Sequence, residues 1–489
     1  MKREASLLEA LIPIVVLIGL LTANVFLFDD TLSGANQTTL LLSAALAGIL
    51  AIRLGFTWNR IRDKIVSTIG SAMPSILILL LIGSLAGTWM ISGVVPAMIY
   101  YGLDIIHPGI FLFTAVVVCA IVSIATGSSW STVATIGIAL LGIGKALGIQ
   151  ESIVAGAIIS GAYFGDKISP LSDTTNLASA MAGTEIFTHI RYMFYTTVPS
   201  LVITLVIFLV MGYRGNHTVG LDNVLTVQEA IEGTFNISPW LFLVPVILLT
   251  IIMLKVPPLP ALLAGTLLGG IFAVIFQPDI IREVAGQSGS YLKSSYITVM
   301  QAMFGTVSLS TVDVRMNELL TTSGMRGMLD TIWLILSAMI FGGVMEAAGF
   351  LRRITQPVVK YAKSTGSLVA STVGTCIFFN ATASDQYIAI VVPGRMYRKT
   401  YEEKGLKPEV LSRTLEDSGT MTSVLVPWNT CGATQSRVLG VSTFDYLPYA
   451  FFNLISPLMS ILFASFNIRI RRMVGGDKQD SKTPEVEVQ

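Results

Sequence analysis

Residues 165–176 of the 489-residue chain read GDKISPLSDTTN and place two carboxylates, a lysine and several hydroxyls inside an otherwise apolar stretch. Gly165 and Pro170 should break a helix there, because glycine is conformationally free and proline lacks an N–H and clashes with the preceding turn. At membrane depth, broken backbone and ionisable groups are tolerated only inside the protein or beside a wet cavity. The stretch is therefore a candidate ion or proton site, and the alternative is a surface loop between two helices.

Three further polar clusters interrupt apolar segments. They are TGSSW at 126–130, NATASD at 380–385 and PWNT at 427–430. When the chain is aligned with itself at an offset of 256 residues, Thr126 is aligned with Thr382. With one inserted residue, Pro170 is aligned with Pro427. The sequence thus predicts two copies of one unit, each with a hydroxyl-rich tip and a proline-broken helix. Repeats with discontinuous helices at the midplane are typical of secondary transporters.

The composition places these polar clusters in a membrane protein. The chain is 53% hydrophobic and 12% charged, about half the charged fraction of soluble domains, and it contains many apolar windows of about 18 residues or more. The three cysteines lie in apolar segments and the three histidines are isolated, which argues against a zinc site or a histidine-based catalytic triad. The net charge of +1 gives no indication of nucleic-acid binding. We expect a lipid-embedded, non-enzymatic protein without a bound cofactor.

The predicted fold class is an all-α polytopic membrane protein with two inverted-topology repeats, each containing a re-entrant hairpin and a proline-broken transmembrane helix. The predicted boundaries are 1–213 for the first repeat, 214–238 for an outer linker, 239–468 for the second repeat with a connector insertion at 277–329, and 469–489 for a cytoplasmic tail. Basic residues fall mainly on one side of the predicted spans, which places both termini in the cytoplasm. In the first half, two full spans are an alternative to the hairpin.

The polar clusters also carry a resemblance. Residues 165–177, GDKISPLSDTTNL, resemble the signature of the NhaC family of sodium/proton antiporters, and LEDSGT at 415–420 and VPWNTCGA at 426–433 resemble that family's second half. The resemblance implies the ion-transporter superfamily fold, a homodimer and an elevator-like movement of the hairpin and broken-helix region. It also implies a bacterial cytoplasmic membrane as the location and Na+ and H+ as the transported ions.

A small hard cation such as Na+ binds oxygen ligands, and hydroxyls, amides and carboxylates are concentrated at the tips and breaks. We expect each tip to meet the break of its own half. The candidate ion- or proton-binding residues are Thr126, Ser128, Ser129, Asp166, Ser169, Ser172, Asp173, Thr174, Asn176, Asn380, Thr382, Ser384, Asp385, Asp417, Asn429 and Thr430. The expected ligands of Na+ itself are Asp173, Ser172, Thr174, Asn176 and Asp385.

Exchange requires a group that binds either H+ or Na+. Burial of a carboxylate favours its protonated form and a bound cation favours the ionised form, so the two ions compete for one site. Asp173 is the predicted exchange carboxylate, and the compatible alternative is a cap on the half-helix that starts near Thr174. Asp417 is a second candidate proton carrier; its neighbour Glu416 is a weaker one and could instead pair with Arg413.

Two further acidic residues have alternative interpretations. Asp166 directly precedes Lys167, so the two could form a structural ion pair or a charge-paired gate. Asp385 could capture charge at a second site or cap the second hairpin helix.

Three function classes remain open at this point. Na+/H+ exchange by alternating access is the leading prediction. The runner-up is cation-coupled exchange of small organic anions such as malate and lactate, because some relatives with this signature move them and because Lys167 and half-helix N-termini could hold a carboxylate. Against it, no unpaired arginine is expected at the midplane. A channel or scaffold is disfavoured, since two polar breaks occur in register.

Overall fold

The computed structural model describes residues 3–28, 34–105, 107–214, 221–286, 290–309, 320–362 and 364–473. Most of the predicted tail, and parts of the linker and the connector, lie outside these ranges. The helices of the first half are α1 (Leu7–Leu27), α2 (Ala35–Arg53), α3 (Trp58–Ile91), α4 (Val94–Ile105), α5 (Phe111–Thr126), α6 (Ser129–Thr132), α7 (Ile138–Ala146), α8 (Glu151–Ile168), α9 (Asp173–Ala182) and α10 (Ile186–Arg214).

The second half is also helical. Its helices are α11 (Leu221–Thr234), α12 (Leu243–Met253), α13 (Pro258–Phe276), α14 (Pro278–Val284), α15 (Tyr291–Phe304), α16 (Leu329–Ala347), α17 (Phe350–Tyr361), α18 (Thr365–Thr382), α19 (Gln386–Glu403), α20 (Pro408–Leu415), α21 (Met421–Ser423), α22 (Thr430–Leu439), α23 (Thr443–Tyr446) and α24 (Phe451–Ser465). Short 3-10 turns occur at Pro108–Ile110, Pro239–Phe242, Met325–Met328 and Leu447–Tyr449.

The β-structure of the described residues consists of one small ladder and an isolated antiparallel bridge between Leu406 and Arg472. Strand β1 (Val307–Ser308) pairs antiparallel with β2 (Thr321–Thr322) inside the predicted connector. The same connector also holds the helices α14 and α15.

The predicted membrane class is confirmed. Within the described ranges, eight helices are long and apolar enough to cross a membrane, or up to ten if each of two bent pairs forms one span. The segments Pro108–Thr126 and Ser129–Ala146 each reach that length, so the choice between a hairpin and two spans in the first half stays a prediction.

Both predicted helix breaks are present. Helix α8 ends at Ile168 and α9 begins at Asp173, with Pro170 in the interval. In the second half, α20 continues through a π-helical turn at Glu416–Thr420 into α21, and the chain then runs irregularly past Pro427 until α22 begins. A second π-helical turn, at Val133–Gly137, follows the first tip. Such turns occur frequently at functional sites.

Small residues let the helices around the first break approach closely. A Cβ atom at Gly161 of α8 would lie 2.3 Å from the carbonyl oxygen of Val116 on α5, and one at Gly165 would lie 2.5 Å from the amide nitrogen of Ile124. Glycine at these positions therefore permits a backbone-to-backbone contact that any side chain would prevent, as is common between membrane helices. The contact holds the first break against the end of α5 and hence against the first tip.

Candidate functional site

The first tip meets the first break, as the sequence predicted. Ser129 donates to Oδ2 of Asp166 through its backbone N–H at 3.2 Å and its hydroxyl at 2.6 Å. Ser169 in the break donates to the carbonyl oxygen of Ile124, near the end of α5, at 2.9 Å. Asp166 itself is buried. The tip thus supplies two donors to a carboxylate of the break.

Ser172 is the residue that caps α9, since its hydroxyl oxygen accepts from the backbone N–H of Thr175. Its hydroxyl also donates to Oδ1 of Asp166 at 2.6 Å. The capping alternative proposed for Asp173 is therefore wrong: Asp173 is the first residue of α9 and its side chain is exposed. A negative charge there still interacts favourably with the helix N-terminus.

A line of hydroxyls connects the two halves. The hydroxyl oxygens of Ser172 and Thr174 are 3.0 Å apart, and Thr174 donates to Oε1 of Glu416 at 3.0 Å. Glu416 is fully buried on the π-helical turn, and its Oε2 has no hydrogen-bond partner among the described residues. Asp166 is thereby linked to Glu416 through two hydroxyl groups.

The alternative pairing of Glu416 with Arg413 is not formed. The guanidinium carbon of Arg413 lies 4.5 Å from the ring centroid of Tyr192, while Glu416 binds Thr174. Sequence reasoning underrated Glu416 because it considered only a partner three residues away on the same helix. The sequence feature that could have identified Glu416 as a site residue is its position beside Asp417 inside a segment predicted to be broken.

A buried ion pair also joins the halves. Lys167 of α8 pairs with Asp417 of the π-helical turn, and both side chains are fully buried. Oδ2 of Asp417 additionally accepts hydrogen bonds from Thr196 at 2.9 Å and from Ser460. Lys167 therefore does not pair with Asp166, as one alternative had it. A buried pair is tolerated when such additional hydrogen bonds satisfy its atoms.

The second tip and the second break also meet as predicted. Asn429 caps α22, and its amide nitrogen donates to the carbonyl oxygen of Asn380 at 3.0 Å and to its side-chain oxygen at 3.1 Å. The backbone N–H of Thr430 donates to the carbonyl oxygen of Ser384 at 3.0 Å. Amide groups thus join the tip to the break in the second half, as Asp166 and Ser129 join them in the first.

The remaining candidate residues make local contacts. Asp385 accepts from the N–H of Ile388 at 2.9 Å and caps α19, in agreement with its capping alternative. Thr382 donates to the carbonyl oxygen of Phe378 at 2.6 Å. Asn176 donates to the carbonyl oxygen of Pro170 at 3.0 Å. Their roles as ion ligands stay predictions.

A cavity of about 380 Å³ lies against the first tip, the first break and part of the second half. The first half contributes Thr126, Gly127, Ser128, Trp130, Ser131, Asp166, Pro170, Leu171, Asp173 and Thr174 to its wall, and the second contributes residues 256–258 with Ile252, Lys255, Gln386, Tyr387 and Thr430. The exposed side chains of Asp173 and Lys255 mark its open side. Such an oxygen-rich wall with two carboxylates is suited to a hard cation.

The resemblance noted in the sequence is confirmed by comparison with known proteins. The sequence model described as "Na+/H+ antiporter family" matches residues 161–468. The malate-2H(+)/Na(+)-lactate antiporter of Bacillus subtilis is 37% identical over 93% of this chain and 94% of its own. The Na(+)/H(+) antiporter NhaC of B. subtilis is 37% identical over 86% of this chain and 90% of its own. The Na(+)/H(+) antiporter NhaC of Alkalihalophilus pseudofirmus is 34% identical over 96% of this chain and 98% of its own. The chain belongs to the Na+/H+ antiporter family.

Proposed function

We propose that this protein exchanges Na+ for H+ across the membrane by alternating access, with the two ions competing for carboxylates beside the cavity. The observation that carries the proposal is the continuous line from Asp166 in the cavity wall through Ser172 and Thr174 to buried Glu416. It gives a buried carboxyl group a path to the cavity where Na+ would bind.

Counting hydrogens along this line indicates that it holds one exchangeable proton. Three oxygen–oxygen contacts join Asp166, Ser172, Thr174 and Glu416, at 2.6, 3.0 and 3.0 Å. The two hydroxyl groups provide one hydrogen each, so with both carboxylates ionised the contact between the hydroxyls would contain none. A third hydrogen, carried by one of the two carboxyl groups, completes the line with every contact satisfied.

The surroundings favour Glu416 as the resting position of that proton. Oδ2 of Asp166 already accepts two hydrogen bonds from Ser129, and donors of this kind stabilise the ionised form. An ionised Glu416 would receive a single hydrogen bond from the described residues, donated by Thr174 to Oε1. A protonated Glu416 instead donates to the Thr174 oxygen, and Thr174 then donates to Ser172. A shift of one hydrogen across each contact would move the proton from Glu416 to Asp166 without displacing a heavy atom.

Exchange then follows from charge. When Na+ enters the cavity and binds Asp166 together with Asp173, its positive charge disfavours the shared proton, which leaves along the hydroxyl line to cavity water. The proton lost from Glu416 is one positive charge and the Na+ gained is another, so the net charge of the site is unchanged. Thr126, Ser128 and Thr430 in the cavity wall offer further oxygen ligands.

We assign Asp417 a different role from the proton carrier that the sequence predicted. Its carboxylate is committed to Lys167 and to two hydroxyl donors. The pair joins the first break to the π-helical turn that carries Glu416, and so it fixes the distance across which the hydroxyl line operates.

Exchange of small organic anions is the second candidate function, because a relative at 37% identity is named a malate-2H(+)/Na(+)-lactate antiporter. Arg413 is buried in the broken segment without a hydrogen-bond partner among the described residues, contrary to the expectation that no arginine there would be unpaired. Arg413 does not line the cavity, however, and the charges that do line it weigh against organic anions. Lys167, which could have held a carboxylate, is engaged by Asp417. The described cavity wall contains Lys255 at its open side and two carboxylates, Asp166 and Asp173, so it is net negative.

The assembly and orientation proposed here rest on the resemblance and on the distribution of basic residues. We expect a homodimer in a bacterial cytoplasmic membrane with both termini in the cytoplasm. The positive-inside rule assigns Lys255 to the cytoplasmic edge of its span, so the cavity beside it would open to the cytoplasm.

The proposal is tested with purified protein in liposomes that carry a pH gradient. Addition of Na+ should dissipate the gradient, whereas malate or lactate at the same concentration should not. Li+ is included to compare a second small cation. Dissipation by malate or lactate alone would show that the protein is an organic-anion exchanger and would overturn the proposal.

A further inference from the structure

The segment that follows α24 folds back onto the rest of the protein. We call residues 467–473 the C-terminal latch. Asn467 and Arg469 have φ angles of 53° and 52°, a left-handed conformation that turns the chain and is uncommon for residues other than glycine. Beyond this turn the latch runs beside the loop before α20. Its backbone accepts from the N–H of Lys407 at 3.1 Å and donates to the carbonyl oxygen of Gly405 at 2.8 Å.

Side chains fix the docked latch to two helices. Arg471 of the latch donates to Oε1 of Glu409, in the first turn of α20, at 3.1 Å. The hydroxyl of Tyr192 on α10 donates to the carbonyl oxygen of Arg469 at 3.0 Å. Glu409 is buried although Arg471 remains partly exposed. The latch therefore clamps the start of α20 to α10.

Arg413 lies one turn further along α20 and lacks the partner that a buried arginine normally has. Its side chain is fully buried, and none of its three guanidinium nitrogens has a hydrogen-bond partner in the part of the chain that the structure describes. It lies over the ring of Tyr192, and the guanidinium of Arg471 is 5.2 Å from the same ring. A guanidinium group binds carboxylates through charge-assisted, often bidentate hydrogen bonds.

Glu409 is the carboxylate positioned to become the hydrogen-bond partner of Arg413. It precedes Arg413 by four residues on one helix, a spacing that puts the Cβ atoms about 5–6 Å apart and favours a Glu-to-Arg pair in this order. Glu409 thus has two possible arginine partners next to one tyrosine ring, and the docked latch holds it on Arg471.

We propose that Glu409 is a two-position switch, paired with Arg471 while the latch is docked and with Arg413 when the latch is released. Helix α20 leads directly into the π-helical turn with Glu416 and Asp417. A change in the partner of Glu409 therefore changes the contacts that hold the helix from which this turn continues. Docking stabilises the conformation in which the cavity is open beside Asp173. The proposal concerns the conformational equilibrium and does not depend on which ion is carried.

A double-mutant cycle in thermal unfolding tests the switch itself. Arg413→Met should leave stability unchanged or slightly raised in the wild-type background, because Arg413 has no hydrogen bond to lose there and removal of its buried charge offsets the lost contact with the Tyr192 ring. In the Arg471→Ala background, where Glu409 turns to Arg413, the same substitution should be clearly destabilising. Additive effects of the two substitutions would overturn the switch, since non-additivity is the signature of coupled residues.

Cysteine labelling tests the effect on the cavity. The native cysteines are buried, so Leu171→Cys in the cavity wall reports access of a water-soluble thiol reagent with little background. Arg471→Ala should slow this labelling roughly tenfold, as expected when a charged hydrogen bond that favours one state is lost, and Arg471→Lys should restore it. Arg472→Ala is the matched control, because it removes the same charge from the latch and its side chain contacts Asn467 and not Glu409. Equal labelling in Arg471→Ala and Arg472→Ala would contradict the proposal.

Discussion

Replacing Thr174 by valine should strongly slow Na+-driven proton release while leaving the fold in place. Valine has nearly the shape of threonine but lacks the hydroxyl that lies 3.0 Å from both Ser172 and Glu416. The proton on Glu416 would lose its path to Asp166. Because a positioned proton-transfer group contributes about 10²–10⁴-fold to a rate, we expect the exchange rate to fall by roughly 100-fold or more.

Thr175→Val is the matched control for this substitution. Thr175 is equally buried on the same helix, and its hydroxyl contacts the carbonyl oxygens of Asp166 and Lys167 at 3.2 and 2.9 Å. Both variants leave buried acceptors without their donor, which costs about 1–3 kcal/mol, so both should lose similar thermal stability. Only Thr174→Val interrupts the hydroxyl line.

The assay is stopped-flow fluorescence of a pH-sensitive dye inside liposomes, after a pulse of Na+. Thr174→Ser, which retains the hydroxyl, should recover most of the wild-type rate. Equal rates in Thr174→Val and Thr175→Val would refute the hydroxyl line as the proton path, whatever their effect on stability.

Three further predictions address other parts of the account. Asp417→Asn leaves Lys167 buried without its partner and should destabilise the protein by about 3–5 kcal/mol; an unchanged melting temperature would exclude a structural role for the pair. Gly161→Ala should destabilise the protein by about 1–3 kcal/mol through overpacking, because the new Cβ would lie 2.3 Å from a carbonyl oxygen of α5. Gly374→Ala is the control and should not destabilise, since the space around Gly374 is open. The two variants are compared by thermal unfolding, and equal stability would argue against the close helix contact. Asp173→Asn should abolish or strongly weaken Na+-dependent proton release in liposomes, and exchange at the wild-type rate would rule out this carboxylate.

The features that the sequence predicted well are those set by local chemistry. Pro170 and Pro427 interrupt their helices because proline cannot continue the hydrogen-bond ladder, and each interruption is recognisable without knowledge of the rest of the fold. The contacts of each tip with its own break followed from the repeat, since two copies of one unit place equivalent parts together.

The features that the sequence did not predict depend on contacts between the halves. Thr174 and Glu416 are separated by 242 residues, and helical spacing instead suggested Arg413 as the partner of Glu416. The π-helical turn that begins at Glu416 changes the direction of the side chains there, and the tertiary packing that supports it is not encoded in a local pattern. For α9 the error was one residue, because Ser172 and Asp173 are both good helix caps.

Infrared difference spectroscopy of Na+ binding tests the shared proton most directly. A protonated carboxyl group has a carbonyl stretch that its ionised form lacks. We expect Na+ to remove such a band from the wild-type protein, and we expect the change to be absent in Glu416→Gln. A difference spectrum without loss of a protonated carboxyl band, or the same loss in Glu416→Gln, would contradict the account.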